Sequence, residues 1–142
     1  MAKKVTAQHI ETTEKRLNLW LRGIYEDCPI EIIDVSVTGH KNSITQRKIS
    51  LLVNQLLNTH GNRFKIGKTC QADRRINQKD YRYTYTKMYL LYKSQSPAYV
   101  SHYENLYITK HFENEKNDNE TKISVGRPCS FANSYYVYLV VN

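Results

Sequence analysis

The segment Arg63–Thr69, with the sequence RFKIGKT, constrains the fold more than any other stretch of the chain. Apolar and basic residues alternate in it, which predicts a short strand that ends in a turn at Gly67. We expect a short helix next, at 71–79, and then a tyrosine-rich strand over 83–92. A proline suited to the first turn of a helix begins the following segment, 97–112.

The remaining patterns add two strands and two helices. Apolar residues alternate with other residues from Ile30 to Val37, and many side chains there are β-branched, so we predict a strand. We predict another strand from Tyr135 to Val141. The spacing of apolar residues predicts helices at 5–22 and at 44–59. This mixed order of elements indicates an α+β fold, with a small sheet covered by helices.

Size and cysteine content favour a single domain made for a reducing compartment. The chain has 142 residues, 40% of them hydrophobic, which is enough for one buried core. No apolar run approaches the roughly 20 residues of a membrane span, and the N-terminus lacks a signal-peptide pattern. Cys28, Cys70 and Cys129 form no CxxC pair, so we expect neither a zinc site nor a disulfide. We therefore expect a cytoplasmic protein with no membrane partner.

The positive charge is concentrated in the middle of the chain. The net charge is +8, and residues 41–93 alone hold twelve Lys or Arg residues against two acids, Asp73 and Asp80. A concentrated basic block favours a polyanionic partner, of which nucleic acid is the commonest. DNA is the expected partner, and charge alone does not separate it from RNA.

The triplet Gly67-Lys68-Thr69 also suggests a phosphate-binding loop, but its context excludes one. Five residues separate Gly61 from Gly67, one more than the loop motif allows. Those residues have the pattern of a strand, whereas the motif places its strand before the first glycine. Nucleotide hydrolysis through this loop is therefore not expected.

A second comparison accounts for more of the sequence. Lys65-Ile66-Gly67, followed by Arg75 eight residues after the glycine, resembles the second motif and the catalytic arginine of the GIY-YIG nuclease superfamily. The resemblance is to the phage and bacterial branch in which this motif reads KIG. Glu104, in the sequence Glu-Asn-Leu-Tyr, matches the helix that carries the metal-binding glutamate of that family. The similarity covers residues 62–112.

The resemblance implies a definite architecture. It predicts a small central antiparallel sheet flanked by helices, with a GIY-YIG-like core over 30–142. The helix at 44–59 would be inserted into this core, and residues 1–29 would form an N-terminal helical extension. The whole chain, 1–142, would be one domain.

The resemblance also implies a metal-dependent DNA endonuclease. Glu104 would bind one Mg²⁺ or Mn²⁺ ion, which keeps most of its waters and needs few protein ligands. The ion would polarise the scissile phosphate and stabilise the leaving oxygen. Arg75 would neutralise the charge that develops on the phosphate.

The first motif of the family is the part that this chain does not match. A GIY-type strand is expected shortly before the KIG strand, but residues 51–61 have a helical pattern without tyrosine. The strand Ile30 to Val37 is the expected partner of the KIG strand instead. The identity of the general base is therefore not decided by the sequence. The candidates are Tyr25, His40, Lys65 and Tyr83.

The basic block supplies the expected contacts to the nucleic-acid backbone. They are six residues: Arg63, Lys68, Arg74, Lys79, Arg82 and Lys87. Two other functions remain open on this evidence. One is a nucleic-acid-binding module of the same fold without catalysis, and the other is a basic domain that binds an acidic protein.

Overall fold

The computed structural model describes residues 30–60, 62–122 and 133–142. In these residues the chain forms four strands and four helices, two of which are very short. In order they are β1 (Glu31–Val37), α1 (Ser43–Thr59), β2 (Phe64–Thr69), α2 (Ala72–Ile76), α3 (Lys79–Arg82), β3 (Lys87–Ser94), α4 (Pro97–His111) and β4 (Tyr135–Val141). The α+β class is confirmed.

The four strands form one open sheet in the order β1-β3-β4-β2. Strand β4 is antiparallel to both β2 and β3, whereas β1 runs parallel to β3. The expectation of an antiparallel sheet is therefore wrong, and the sheet is mixed. The reason is the long connection between β1 and β3, because a crossover through intervening elements lets two strands run in the same direction.

The sheet separates two hydrophobic cores. Side chains of α1 and α4, such as Ile49 and Tyr103, share one core with Leu139 of β4. Tyr81 and Tyr138 belong to the second core, on the opposite face. Because successive side chains of a strand point to opposite faces, β4 contributes alternate residues to each core. The second core has no long helix, and only α2 and α3 cover it in the described residues.

Each of the two long helices begins at a side chain that caps it. Asn42 caps α1, with its Oδ1 accepting from the backbone N–H of Thr45 at 2.9 Å. Ser96 caps α4, with its Oγ accepting from the backbone N–H of Tyr99 at 3.2 Å, and Pro97 lies in the first turn. Both caps satisfy a backbone donor that the helix itself leaves free. The predicted helices at 44–59 and 97–112 are confirmed to within one residue.

The segment between β2 and β3 differs from the prediction. Two short helices replace the single helix expected at 71–79, and β3 begins at Lys87 instead of at Tyr83. Tyr81 and Tyr85 are both buried in the second core, and the backbone N–H of Tyr85 donates to the carbonyl of Tyr81 at 3.0 Å. Packing of these rings therefore outweighs the strand propensity of the tyrosines.

Two further expectations concern the cysteines and the N-terminal part of the chain. Cys70 is disulfide-bonded, so the expectation of unpaired cysteines is wrong; Cys28 and Cys129 lie outside the described residues. The predicted helix at 5–22 and Tyr25 also lie outside them. Within the described part, no helix combines the length and apolar character needed to cross a membrane.

Candidate active site

A pocket of about 460 Å³ lies around the edge strand β2. Arg75 of α2 lines it, and so does Glu104 of α4. Helix α2 contributes to the core on one face of the sheet and α4 to the core on the other. The two side chains can reach one pocket because β2 is an edge strand of the sheet that the described residues form.

Tyr138 of β4 forms the floor of the pocket opposite Gly67. The two residues are paired in the register of β2 with β4. Gly67 lies within β2, so the expectation that it forms a turn is wrong. A β-carbon at position 67 would overlap the Tyr138 ring and hydroxyl. The glycine therefore makes room for the tyrosine, which is a requirement of close packing and not of backbone conformation.

The Tyr138 hydroxyl is buried in a network of charged and phenolic groups. It shares a short hydrogen bond with the Tyr81 hydroxyl. Burial raises the pKa of Tyr138 well above its usual value, the Tyr81 and Glu104 side chains raise it further, and Arg75 acts in the opposite direction. The phenol is therefore held in its protonated form at neutral pH.

Glu104 is a buried carboxylate with a lysine beside it. Its exposure is only 2%, although it lies on the pocket wall. The Lys68 ammonium lies 3.6 Å from its Oε1 and donates to the Ser101 hydroxyl at 3.0 Å. A buried charge requires such a compensating partner, because desolvation strongly disfavours an isolated ion.

Two cations, one from β2 and one from α2, lie against the ring of Tyr81 of α3. The Arg75 guanidinium carbon lies 5.9 Å from the centre of the Tyr81 ring, and Nζ of Lys65 lies 5.2 Å from the same centre. The aromatic face attracts both cations. Tyr81 therefore holds two positive groups beside the pocket while its hydroxyl bonds to Tyr138.

The segment that follows α4 closes the edge of β2 on one side of the pocket. The Asn119 side chain accepts from the Ile66 N–H at 3.0 Å and donates to the Ile66 carbonyl at 2.8 Å. The amide thereby satisfies the N–H and the carbonyl of Ile66 in the way that the backbone of a neighbouring strand would. Glu120 and Thr121, both exposed, follow it and line the mouth of the pocket.

A second pocket of about 700 Å³ adjoins the first and shares Lys65 and Tyr81 with it. Asp118 lines this second pocket. Arg63 forms an ion pair with Asp118, and the Tyr85 hydroxyl donates to the other oxygen of this carboxylate at 2.8 Å. Arg63 is therefore already engaged by a protein carboxylate, in contrast to its predicted role as a contact to nucleic acid.

The structure brings together four of the residues expected at the site: Lys65, Lys68, Arg75 and Glu104. The other predicted side chains lie elsewhere. His40 and Tyr83 do not line the pocket, whereas Arg74 and Lys79 are exposed. Lys87 begins β3 and is paired with Glu31 and Val141.

Two predictions about individual residues need correction. Arg82 is only 4% exposed and donates to the Asn77 side chain at 2.9 Å, so it does not lie on the basic surface. The strand beside Lys65 is β4 and not the segment from Ile30 to Val37, which forms the opposite edge of the sheet. Consequently His40, which follows that segment, is remote from β2 in the sheet order.

The sequence patterns did not indicate Tyr138 as a member of the site, although the terminal sequence YYVYLVV contained a signal for it. A tyrosine within a run of apolar β-formers is costly to bury unless its hydroxyl has a partner. The partner and the opposing glycine come from distant parts of the chain, so the local pattern could not identify them.

The pocket contains oxygen atoms of the type that a single hard divalent cation takes as ligands. Glu104 supplies one buried carboxylate, and Glu120 and Thr121, which line the same pocket, carry further oxygen atoms. Oxygen ligands, few from the protein, are what Mg²⁺ prefers. In the described ranges, no group of three or more His, Cys, Asp or Glu side chains is arranged around a common point.

Comparisons with known proteins found no matching family model, no matching curated protein and no matching solved structure.

Proposed function

We propose that the protein is a metal-dependent endonuclease that hydrolyses DNA phosphodiester bonds through a GIY-YIG-like site. The observation that carries the proposal is the convergence of Arg75, Glu104 and Tyr138 on one pocket around Gly67. An arginine, a carboxylate and a phenol come from three different elements. Such a set offers a charge-stabilising group, a metal ligand and a group that can orient water.

The order of the strands supports the proposal and refines it. The resemblance calls for a strand beside the KIG strand with a tyrosine that faces the site. Strand β4 pairs with β2 and carries Tyr138 opposite Gly67, yet it comes last in the chain. We infer that the core is permuted, with the strand that replaces the first motif at the C-terminal end of the domain. This accounts for the absence of a GIY-type strand immediately before β2.

Arg75 and Tyr138 would have different roles in the hydrolysis. Hydrolysis joins a water oxygen to phosphorus and breaks the bond to the leaving oxygen. The attacking water gives one proton to solvent, and the leaving oxygen takes one from solvent and departs as a hydroxyl. Arg75 would donate to the non-bridging phosphate oxygens, where charge increases in the transition state. Tyr138 would accept a hydrogen bond from the attacking water. Because its phenol is held protonated, we assign it to orienting the water and not to removing the proton.

Glu104 is the residue that would hold the cation. A divalent ion bound there would polarise the scissile phosphate and stabilise the leaving oxygen. The burial of Glu104 keeps competing water away from this carboxylate. Lys65 and Lys68, which line the same pocket, would attract the phosphodiester backbone into it.

The exposed basic residues of α2 and α3 would extend the contact along the nucleic acid. Arg74 and Lys79 are both exposed and lie on the two short helices next to Arg75. Contacts of this kind position the backbone without reading its sequence. Their strength should fall steeply as salt concentration rises.

The proposal is tested by incubating the purified protein with supercoiled plasmid in Mg²⁺, Mn²⁺ or EDTA. We expect nicked or linear product with either metal and none in EDTA. Glu104→Gln, which keeps the shape of the side chain, should abolish cleavage. Glu115→Gln, an exposed glutamate outside the pocket, should not affect it.

Salt-sensitive binding without cleavage, over a range of DNA and RNA substrates and metals, would instead indicate a binding module of the same fold. Preference for an acidic protein over DNA at equal ionic strength would indicate a protein-interaction domain. Either result would refute the nuclease proposal.

A further inference from the structure

The contact between Lys68 and Glu104 joins the proposed metal ligand to a protein cation. The Lys68 Nζ atom lies 3.6 Å from Glu104 Oε1, and the two side chains are 13% and 3% exposed. The same ammonium donates to the Ser101 hydroxyl, on the helix that carries Glu104, at 3.0 Å. The ion pair with Glu104 and the hydrogen bond to Ser101 together hold the Lys68 ammonium beside the carboxylate.

A divalent cation and this ammonium compete for the same carboxylate. Two positive charges within a few ångströms of each other repel strongly where the side chains are as buried as Lys68 and Glu104 are. Binding of a metal at Glu104 therefore requires Lys68 to move away or to find another negative partner. Lysine can do so readily, because its charge is a point at the end of a flexible stem.

The pocket itself shows where that partner would be. Lys68 lines it together with Arg75 and Lys65, so a phosphate bound to these cations would lie within reach of the Lys68 side chain. The negative charge of the phosphate would compensate the ammonium as it leaves Glu104. Glu104 would then be available to the metal at the moment when the substrate is present.

We propose that Lys68 is a resident counter-ion that occupies Glu104 until a nucleic-acid phosphate draws it away, so that metal and nucleic acid bind with positive cooperativity. This inference rests on the proposed function, because it takes Glu104 as the metal ligand and the pocket as the phosphate site. By linkage, each ligand increases the affinity for the other by the same factor.

The first test measures Mn²⁺ binding to the DNA-free protein by electron paramagnetic resonance. Lys68→Met removes the competing charge and keeps the length of the side chain, so it should tighten Mn²⁺ binding by about tenfold, within the usual range of coupling between sites. Lys68→Arg keeps a cation at the carboxylate and should not tighten it. Lys110→Met, an exposed lysine on the same helix as Glu104, is the charge control and should leave the Mn²⁺ affinity unchanged.

The second test measures the affinity for a phosphorothioate DNA duplex by fluorescence anisotropy, with and without Mn²⁺. In the wild-type protein Mn²⁺ should strengthen DNA binding, and in Lys68→Met this gain should shrink by the factor by which Mn²⁺ binding tightened. Equal Mn²⁺ affinity of the wild-type and Lys68→Met proteins would overturn the counter-ion proposal. If Glu104→Gln bound Mn²⁺ as tightly as the wild type, the proposed metal site itself would be wrong, which is a separate outcome.

Should Lys68→Met fail to fold, Lys68→Gln replaces it, with the same expected direction. In that variant, unchanged Mn²⁺ affinity would count against the proposal in the same way.

Discussion

The Tyr138 ring occupies the space that a side chain at Gly67 would fill, and the two residues are paired across β2 and β4. The tyrosine is only 1% exposed, and its hydroxyl bonds to Tyr81. A glycine in the middle of an edge strand would ordinarily weaken it. Here the glycine allows a phenol to reach the pocket that also holds Arg75 and Glu104.

Substitution of Gly67 by alanine should destabilise the fold by about 1–3 kcal/mol, because the added methyl group overlaps a buried ring that has little room to move. Urea denaturation measures this change. Tyr138→Val removes the ring, and in that background the same substitution should cost less than about 1 kcal/mol, since the overlap is gone. Equal costs in the two backgrounds would mean that the ring does not restrict position 67.

Removal of the Tyr138 hydroxyl should affect cleavage more than stability. Tyr138→Phe keeps the ring and should reduce the cleavage rate by roughly 10²-fold, a usual effect when a reacting group loses its positioning. Tyr81→Phe breaks the same hydrogen bond from the other side and should have a smaller effect on the rate. Single-turnover cleavage of plasmid compares them. A Tyr138→Phe protein that cleaves at the wild-type rate would leave Tyr138 with a structural role only.

Arg75 and Arg74 provide a matched pair of adjacent arginines. Arg75 lines the pocket, whereas Arg74 is exposed and does not. Arg75→Ala should lower the cleavage rate roughly 10²–10³-fold, as does loss of a group that stabilises transition-state charge. Arg74→Ala should mainly weaken DNA binding and reduce the slope of log affinity against log salt concentration by about one. Equal losses of cleavage rate in the two variants would contradict the assignment of Arg75 to the transition state and of Arg74 to DNA binding.

Asn119 should stabilise the edge of β2. Asn119→Ala removes both side-chain hydrogen bonds to Ile66 and should cost about 1–3 kcal/mol, by the usual value of such bonds. Hydrogen exchange of the Ile66 amide should accelerate in parallel, because this N–H donates to Asn119. Asn58→Ala, at an exposed position of α1, is the control and should change neither quantity. Unchanged exchange at Ile66 would show that the asparagine does not protect the edge.

Alkaline pH should destabilise the protein through its buried tyrosines. Burial first, and then the hydrogen bond to Asp118, raise the pKa of Tyr85 far above its ordinary value near 10. A group whose pKa is raised by folding contributes stability that is fully present below its unfolded pKa and is lost as pH rises above it. The free energy of unfolding should therefore fall as pH increases above about 10.

Urea denaturation between pH 8 and pH 11 measures this dependence. Tyr85→Phe should flatten the alkaline slope, because the unfolded variant has one fewer tyrosine to ionise. Identical slopes in the wild-type and Tyr85→Phe proteins would contradict the expectation.

Local sequence patterns predicted elements well where packing agreed with propensity. Helix α4 could be predicted because Pro97 is a local signal for the first turn of a helix, and α1 because its apolar residues recur with helical spacing. The same approach failed between β2 and β3. There Tyr81 and Tyr85 are buried in the second core, and Arg82 is buried beside Asn77, although the local pattern favoured a strand and a basic surface.

The sequence by itself determined the main elements. It also placed Lys65 on a strand and Arg75 and Glu104 on two separate helices. Only the tertiary structure decided that β4 lies next to β2 and that Tyr138 therefore joins them in the pocket. The physical reason is that helical spacing and strand alternation are local properties of the chain. The choice of a neighbouring strand depends on contacts between residues far apart in sequence, such as the fit of the Tyr138 ring against Gly67.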